Sequence, residues 1–443
     1  MFRRRETTHR FRSRPRNTEV LKSLRITVGR SNLNGSLQAP PSKSYTHRAL
    51  FCSALAQGES TLRSPLLCDD TRATSDALSK IGVAVDWNDS SARVARSGEL
   101  KKSPDMILCR ESGTTLRFMT GICATTPHDA EISGGPSLLR RPVKDLAVAL
   151  EKVGACCTSE QGYPPVHVRG PIKGGSVEIP GNISSQYISS LLLAAPLAGA
   201  PVEAHIVGRL ESKSYVQMTL DVQNRFGVHV DASEDLTEFH VGGQAYHPSE
   251  VEIEGDWSSA APLLAGAAIA GDRVRIQRLE KESLQADRYL LDILKHVKAR
   301  ISQDSSSVTV EESQIKAAEV DVSDCPDLFP VTCVLCASAD GISTIRGIRR
   351  LRIKESNRVQ AMSDGLKQMA IGTEESEDSF TIHGGKPRKA VINPHRDHRI
   401  AMAFGVLGLC TEEVMILDAE CVGKSYPSFW SDLQSLGARV TAA

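Results

Sequence analysis

The chain predicts a fold of the α/β (α+β) class, arranged as six similar units in two domains. Three features carry this expectation. One pattern recurs: a charged start, an amphipathic stretch, then a small residue leading into an extended segment. It ends at Ile81-Gly82, Val153-Gly154, Phe226-Gly227, Val297-Lys298, Met369-Ala370 and Leu436-Gly437, spaced by roughly 70 residues. Glycine suits the left-handed residue that closes a helix, although two of the six positions lack it. Next, short alternating segments read as strands: Arg25–Val28, Ala204–Val207, Val251–Ile253, Val274–Ile276 and Val308–Val310. Val414–Leu417 is apolar throughout, as in a strand covered on both faces. Finally, 443 residues with 40% apolar and 24% charged side chains can bury an ordinary core in each domain.

Composition excludes several classes. The longest apolar runs, near Leu191–Val202 and Ala260–Gly271, are about twelve residues, too short to span a bilayer. Lys and Arg number 53, as do Asp and Glu, so the whole chain is not a polyanion binder. Residues 1–25 differ, with nine basic residues against Glu6 and Glu19. Residues 1–24 are expected to be a basic, disordered tail. Eleven cysteines, mostly in apolar contexts, suggest buried thiols in a reducing, cytoplasmic setting. Cys333-Val334-Leu335-Cys336 has CxxC spacing but no second pair, so it reads as helix core.

Candidate chemistry lies at the helix starts. Ser42-Lys43-Ser44 with Arg48, Ser112-Gly113-Thr114-Thr115 with Arg117, Ser184-Ser185-Gln186, Asp256-Trp257-Ser258-Ser259 and Asp397-His398-Arg399 all begin like N-caps. The repeated cation beside free N–H groups points to phosphate or carboxylate ligands. Ser44 and Arg48 share a face at i, i+4, and the same spacing aligns Lys354 with Arg358 if Lys354–Arg358 is helical. Glu355 beside them could donate a proton if burial raises its pKa. Asp324 and Asp327 flank Pro326 at another helix start; capping uses one carboxylate and leaves the other as a candidate base. Gly423-Lys424-Ser425 ends like a P-loop, but Asp418 stands where that motif needs glycine. No GxGxxG follows a strand, and His395-Arg396-Asp397-His398 lacks a further ligand set, so neither a nucleotide cofactor nor a metal is expected.

Taken in order, these segments, with Gly162-Tyr163-Pro164-Pro165 and Lys354-Glu355-Ser356-Asn357-Arg358, resemble the EPSP synthase (3-phosphoshikimate 1-carboxyvinyltransferase) family from about Leu24 onward. The resemblance implies a two-domain enolpyruvyl-transferase-like fold. Each domain would hold three β/α units about a pseudo-threefold axis, an inside-out α/β barrel. One domain would combine 25–41 with 255–443 and the other would span 42–254, with the active site between them. It implies transfer of the enolpyruvyl group of phosphoenolpyruvate to the 5-hydroxyl of shikimate 3-phosphate, by a monomer, with no cofactor, metal, nucleic acid or membrane. Shikimate 3-phosphate would meet Lys43, Ser44, Arg48, Ser184, Ser185, Gln186, Ser212, Tyr215, Asp327 and Lys354. Phosphoenolpyruvate would meet Lys43, Gly113, Arg141, Gln186, Arg358, Arg399 and Lys424. Asp327 would be the base and Glu355 the acid, helped by Lys43. Anionic substrates are expected to draw together lobes whose cations otherwise repel.

The chain departs from the family pattern at three places: Arg110-Glu111 before the Ser-Gly-Thr loop, Arg350, and Asn357. Glu111 adds a carboxylate beside the phosphoenolpyruvate loop, while Gly113 leaves room for glyphosate. Two other readings stand beside this one. The first is a UDP-N-acetylglucosamine enolpyruvyl transferase, whose family carries a reactive loop cysteine; Cys109 is the nearest candidate here. The second is a non-catalytic anion- or RNA-binding relative.

Overall fold

A computed structural model describes residues 23–442; nearly all of the basic N-terminal segment lies outside them. Six four-stranded sheets, none closed into a barrel, share one pairing pattern: a parallel pair followed by two antiparallel pairs. In the sheet Gly175–Pro180, Val202–Val207, Glu238–Val241 and Asp231–Ala232, for example, the first two strands run parallel and the rest alternate. The other five repeat this order.

Each unit also carries two kinds of helix. Lys43–Leu55, Gly113–Cys123, Ser185–Ala194, Trp257–Ala270, Phe329–Ala337 and His398–Leu407 are almost wholly enclosed. A helix apolar on every side must be surrounded by protein. The flanking helices, such as Asp69–Lys80 and Lys144–Lys152, bury one face only. Cys333 and Cys336 sit fully buried in Phe329–Ala337.

The apolar side chains form two separate cores. One gathers residues 45–253; the other gathers 26–39 with 257–438. The chain passes between them twice, and the two passages are bonded to each other. Pro41 and Gly255 form an isolated antiparallel bridge, Ser42 N–H donates to Glu254 O at 2.8 Å, and Asp256 N–H donates to Pro40 O at 2.7 Å. Asp256 then caps a helix in each lobe, accepting from Ser259 N–H at 2.7 Å and Lys43 N–H at 2.8 Å.

The six repeat junctions all adopt positive φ: 86° at Gly82, 98° at Gly154, 78° at Gly227, 65° at Lys298, 61° at Ala370 and 102° at Gly437. The geometry persists where glycine is absent, so Lys298 and Ala370 carry the steric cost of a left-handed L-residue. Ala370→Gly is expected to stabilise the fold by about 0.5–1 kcal/mol, read as a higher urea midpoint, with Ala370→Val shifting it downward.

Candidate active site

Capping places the polar residues. Ser42, Ser112 and Ser184 accept N–H bonds at 3.3–3.4 Å, and Asp256 and Asp397 do so at 2.7 and 3.0 Å. The sixth enclosed helix begins from the turn Pro326–Leu328, where Pro supplies no donor. One cavity between the lobes is lined from all six helix starts, by Lys43, Gly113, Ser185, Ser258, Asp327 and Arg399 among others. Six positive dipole ends around one space favour anions before any side-chain charge is counted.

The side chains add a dense charge array. Arg358 is 1% exposed and binds three carboxylates: Asp327 at 2.7 Å, Glu355 at 2.8 Å and Asp397 at 2.9 Å. Arg399 also holds Asp327 at 2.9 Å. Asp70 pairs with Lys43 at 2.9 Å and with Lys424, from the opposite lobe, at 2.7 Å. Arg141 Nη2 faces Glu355 across the cleft at 3.1 Å, out of line for a hydrogen bond, and neither Nε nor Nη2 has an acceptor among the described residues. Arg350 pairs with Glu211 and donates to Ser212 Oγ at 3.1 Å. Carboxylates thus stand between the cations of the two lobes. The expected repulsion across the cleft is replaced by attraction.

These pairs set the proton affinities. Burial favours the neutral form of Asp327, but Arg399 and Arg358 outweigh it and hold the carboxyl far below its usual range. Burial likewise opposes ionisation of Glu355, and Arg141 and Arg358 overcome it, so Glu355 rests as a carboxylate rather than a ready acid. That differs from the raised pKa expected from burial alone. Lys354 has no carboxylate within salt-bridge distance among the described residues. Its pKa is lowered to about 8, chiefly by burial; Asp327 opposes the shift, while Arg358 and Arg350 add to it. The enclosed His398 is held neutral by burial and by Lys43 and Arg399, which leaves it an uncharged neighbour.

Of the residues singled out by sequence, Lys43, Ser44, Arg48, Gly113, Arg141, Ser184, Ser185, Gln186, Ser212, Tyr215, Asp327, Lys354, Glu355 and Arg399 line this cavity. Arg358 and Lys424 do not; they stand behind the wall and act on it through Asp327, Glu355 and Asp70. Arg48 donates to Thr219 Oγ1, the Ser44 carbonyl and the Tyr215 carbonyl at 2.7–3.0 Å, which uses three of its five N–H hydrogens. Lys354–Arg358 is not one helix. Lys354 ends the turn Arg349–Ile353, and a new helix starts at Arg358 under the Asn357 cap. Asn357 therefore has a local task, accepting from Gln360 N–H at 3.3 Å.

Asp324 spans the lobes, accepting from Ser212 N–H at 2.9 Å, and leaves the cavity to Asp327. The Glu111 carboxylate turns away from the cavity to bind the Ser137 hydroxyl and Leu138 N–H, fixing the turn before Arg141. Cys109 is fully buried and its thiol is pushed up by burial, unlike an exposed reactive thiol. Sequence reading missed Asp70, Gln285 and Asp287 as cavity residues. Asp70 lies in the first turn of Asp69–Lys80, where an acid is ordinary, and the other two belong to no motif.

Comparison with known proteins shows the family and the fold. Residues 28–433 match the family described as EPSP synthase (3-phosphoshikimate 1-carboxyvinyltransferase). A 3-phosphoshikimate 1-carboxyvinyltransferase of Dehalococcoides mccartyi is 41% identical, covering 94% of this chain and 99% of the relative. One from Methanoculleus marisnigri is 40% identical, covering 91% and 97%. The solved EPSP synthase of Acinetobacter baumannii aligns with a TM-score of 0.80 at 26% identity, covering 95% of this chain and all of that one.

The Asp70 pairs give a direct test. Asp70→Asn leaves Lys43 and Lys424 facing each other without a counter-charge. It is expected to destabilise by about 3 kcal/mol, read from urea unfolding, and adding Lys424→Met should recover part of the loss.

Proposed function

The chain belongs to the EPSP synthase family, and from that premise we propose how its cavity performs the family's reaction. The enzyme transfers the enolpyruvyl group of phosphoenolpyruvate to the 5-hydroxyl of shikimate 3-phosphate and releases phosphate, a step toward chorismate. The carrying observation is the single cavity where six helix starts and the cations of both lobes surround Asp327 and Glu355. We read the two cores as the two domains, 25–41 with 255–443 and 42–254. We also read the protein as a cytoplasmic monomer; its eleven free cysteines suit a reducing compartment. No helix among the described residues is long and apolar enough to cross a membrane.

The chemistry needs two phosphates and two carboxylates held together while two protons move. Ser184, Ser185 and Ser212, with Tyr215 beside them, take the shikimate phosphate. Ser44, Arg48, Gln186 and Lys354 take the ring and its carboxylate. Lys43, Gly113, Arg141 and Arg399 cradle phosphoenolpyruvate, with Arg358 and Lys424 behind them. Holding both reactants in register can remove roughly 7–11 kcal/mol of barrier.

The methylene carbon takes a proton, the hydroxyl oxygen bonds to the adjacent carbon, and the hydroxyl proton leaves toward Asp327. The tetrahedral adduct then expels phosphate with its C–O electron pair and returns a proton from the methyl carbon. Glu355 begins this sequence as a carboxylate because two guanidiniums hold it. Substrate anions compete for Arg141, the guanidinium on Glu355 that lines the cavity, and so raise the proton affinity of Glu355. The acid is armed only when the site is loaded.

Phosphate release from phosphoenolpyruvate is expected with shikimate 3-phosphate and not with shikimate; equal rates with both would overturn the reading. Asp327→Ala and Glu355→Ala should each lower kcat about 100-fold or more while leaving substrate binding within a few-fold. A Cβ on Gly113 would lie 2.6 Å from Arg117 Nη1 and 3.0 Å from Arg141 Nη1, so Gly113→Ala should raise KM for phosphoenolpyruvate more than it lowers kcat. The Lys354 charge is present below about pH 8 and lost above it. kcat/KM for shikimate 3-phosphate should fall above that pH, and Lys354→Arg should move the fall upward.

A further inference from the structure

Asp287 is a buried carboxyl for which the reading so far has no use. It is 2% exposed and lines the cavity, yet neither carboxylate oxygen has a hydrogen-bond partner among the described residues. The Ser258 hydroxyl is a neighbour but lies out of hydrogen-bonding geometry. Its position is not loose. It belongs to the turn Ala286–Tyr289, and the preceding Gln285 accepts from Trp257 N–H at 3.1 Å and donates to the Gly255 carbonyl at 2.8 Å. A rigid segment thus presents an unpaired acid to the substrate space. A buried unpaired carboxyl costs stability, and such groups concentrate where function retains them.

We propose that Asp287 pairs with Asp327 and keeps the proton that leaves the acceptor hydroxyl. The proposal rests on the enolpyruvyl-transfer reading of the cavity. Asp327 is the nearer base by role, but two guanidiniums anchor it as a carboxylate and make it a poor final holder of a proton. Two neighbouring carboxyls share one proton more readily than either holds it alone. In the step, the O–H bond breaks as oxygen bonds to the substrate carbon, the proton passes through Asp327, and it rests on Asp287. It leaves to solvent or returns when the product departs.

The groups facing Asp287 are Asp327 and Cys325 from the adjoining turn, Arg399 and Asp256 from two helix starts, and Tyr215 from the opposite lobe. Burial, then the Asp327 charge, raises Asp287 to about 7, with Arg399 opposing. A proton acceptor must be ionised first, so kcat/KM should rise with pH through about 7.

The experiment compares the parent full-length enzyme with Asp287→Asn, using phosphoenolpyruvate and shikimate 3-phosphate. Expected are a kcat lowered about 100-fold, KM values within a few-fold, and loss of the rising limb near pH 7. The raised pKa makes the native carboxyl cost stability increasingly as pH rises from the unfolded carboxyl range toward about 7. The variant should therefore melt higher than the parent, by more at about pH 8 than at about pH 5. A kcat within about threefold, a persisting limb, or a lower melting temperature with an unchanged profile overturns the proposal. Should the Asn variant not fold, Asp287→Ser is judged by the same profile; failure of both to fold assigns the carboxyl to structure and also overturns it. A parent that turns over normally beside an unaffected variant refutes only this inference. A parent inactive on the substrates refutes the functional reading itself.

Discussion

The guanidinium of Arg358 is the contact on which the site's arrangement depends. It is nearly inaccessible to water and touches Asp327, Glu355 and Asp397, three carboxylates from three segments. Left alone, a buried arginine or a buried carboxylate carries a desolvation cost of several kcal/mol. Together they form a network in which each charge is answered. Asp397 is held on its other side by a helix cap, so the network is anchored to backbone. Asp327 and Glu355 are then fixed at the cavity wall with strongly perturbed proton affinities. Chemistry and stability draw on the same few bonds.

Much of this was legible in the sequence because backbone requirements leave local marks. Glycines at regular spacing announced the repeats, since a left-handed helix end prefers them. Serine or aspartate before an apolar run announced the enclosed helices. The turn persists at Lys298 and Ala370 because the same helix-closing bonds form there: Ala299 N–H donates to Leu294 O at 2.8 Å and Ile371 N–H to Leu366 O at 2.9 Å. The strand at 414–416 was visible from its apolar run; Val414 and Ile416 are buried, while Met415 on the other face is half-buried.

What stayed hidden depends on distance in the chain. Lys354 and Arg358 suggested one helix, but a cap at Asn357 splits the segment. Asp70 carries no local mark of its role, because Lys424, which the fold sets against it, lies over three hundred residues later. Asp287 has no hydrogen-bond partner among the described residues to betray it. Glu111, unexpected beside an anion-binding loop, is explained by the turn it braces. An acid in that position is harmless because its charge is turned away and used.

The first strand, Ile26–Gly29, lies between Val414–Ile416 and Arg439–Ala442. On the ribosome it is made before every other described strand and must stay unmatched until Val414–Ile416 and Arg439–Ala442 have followed. The segment between the two passages has no such dependence; its own final strand closes its sheet on Gly58–Arg63. One half of the molecule can therefore close its sheets before the last strands of the other have been made. The seam carrying Asp256, which ties both halves at a single carboxylate, marks where these two schedules meet.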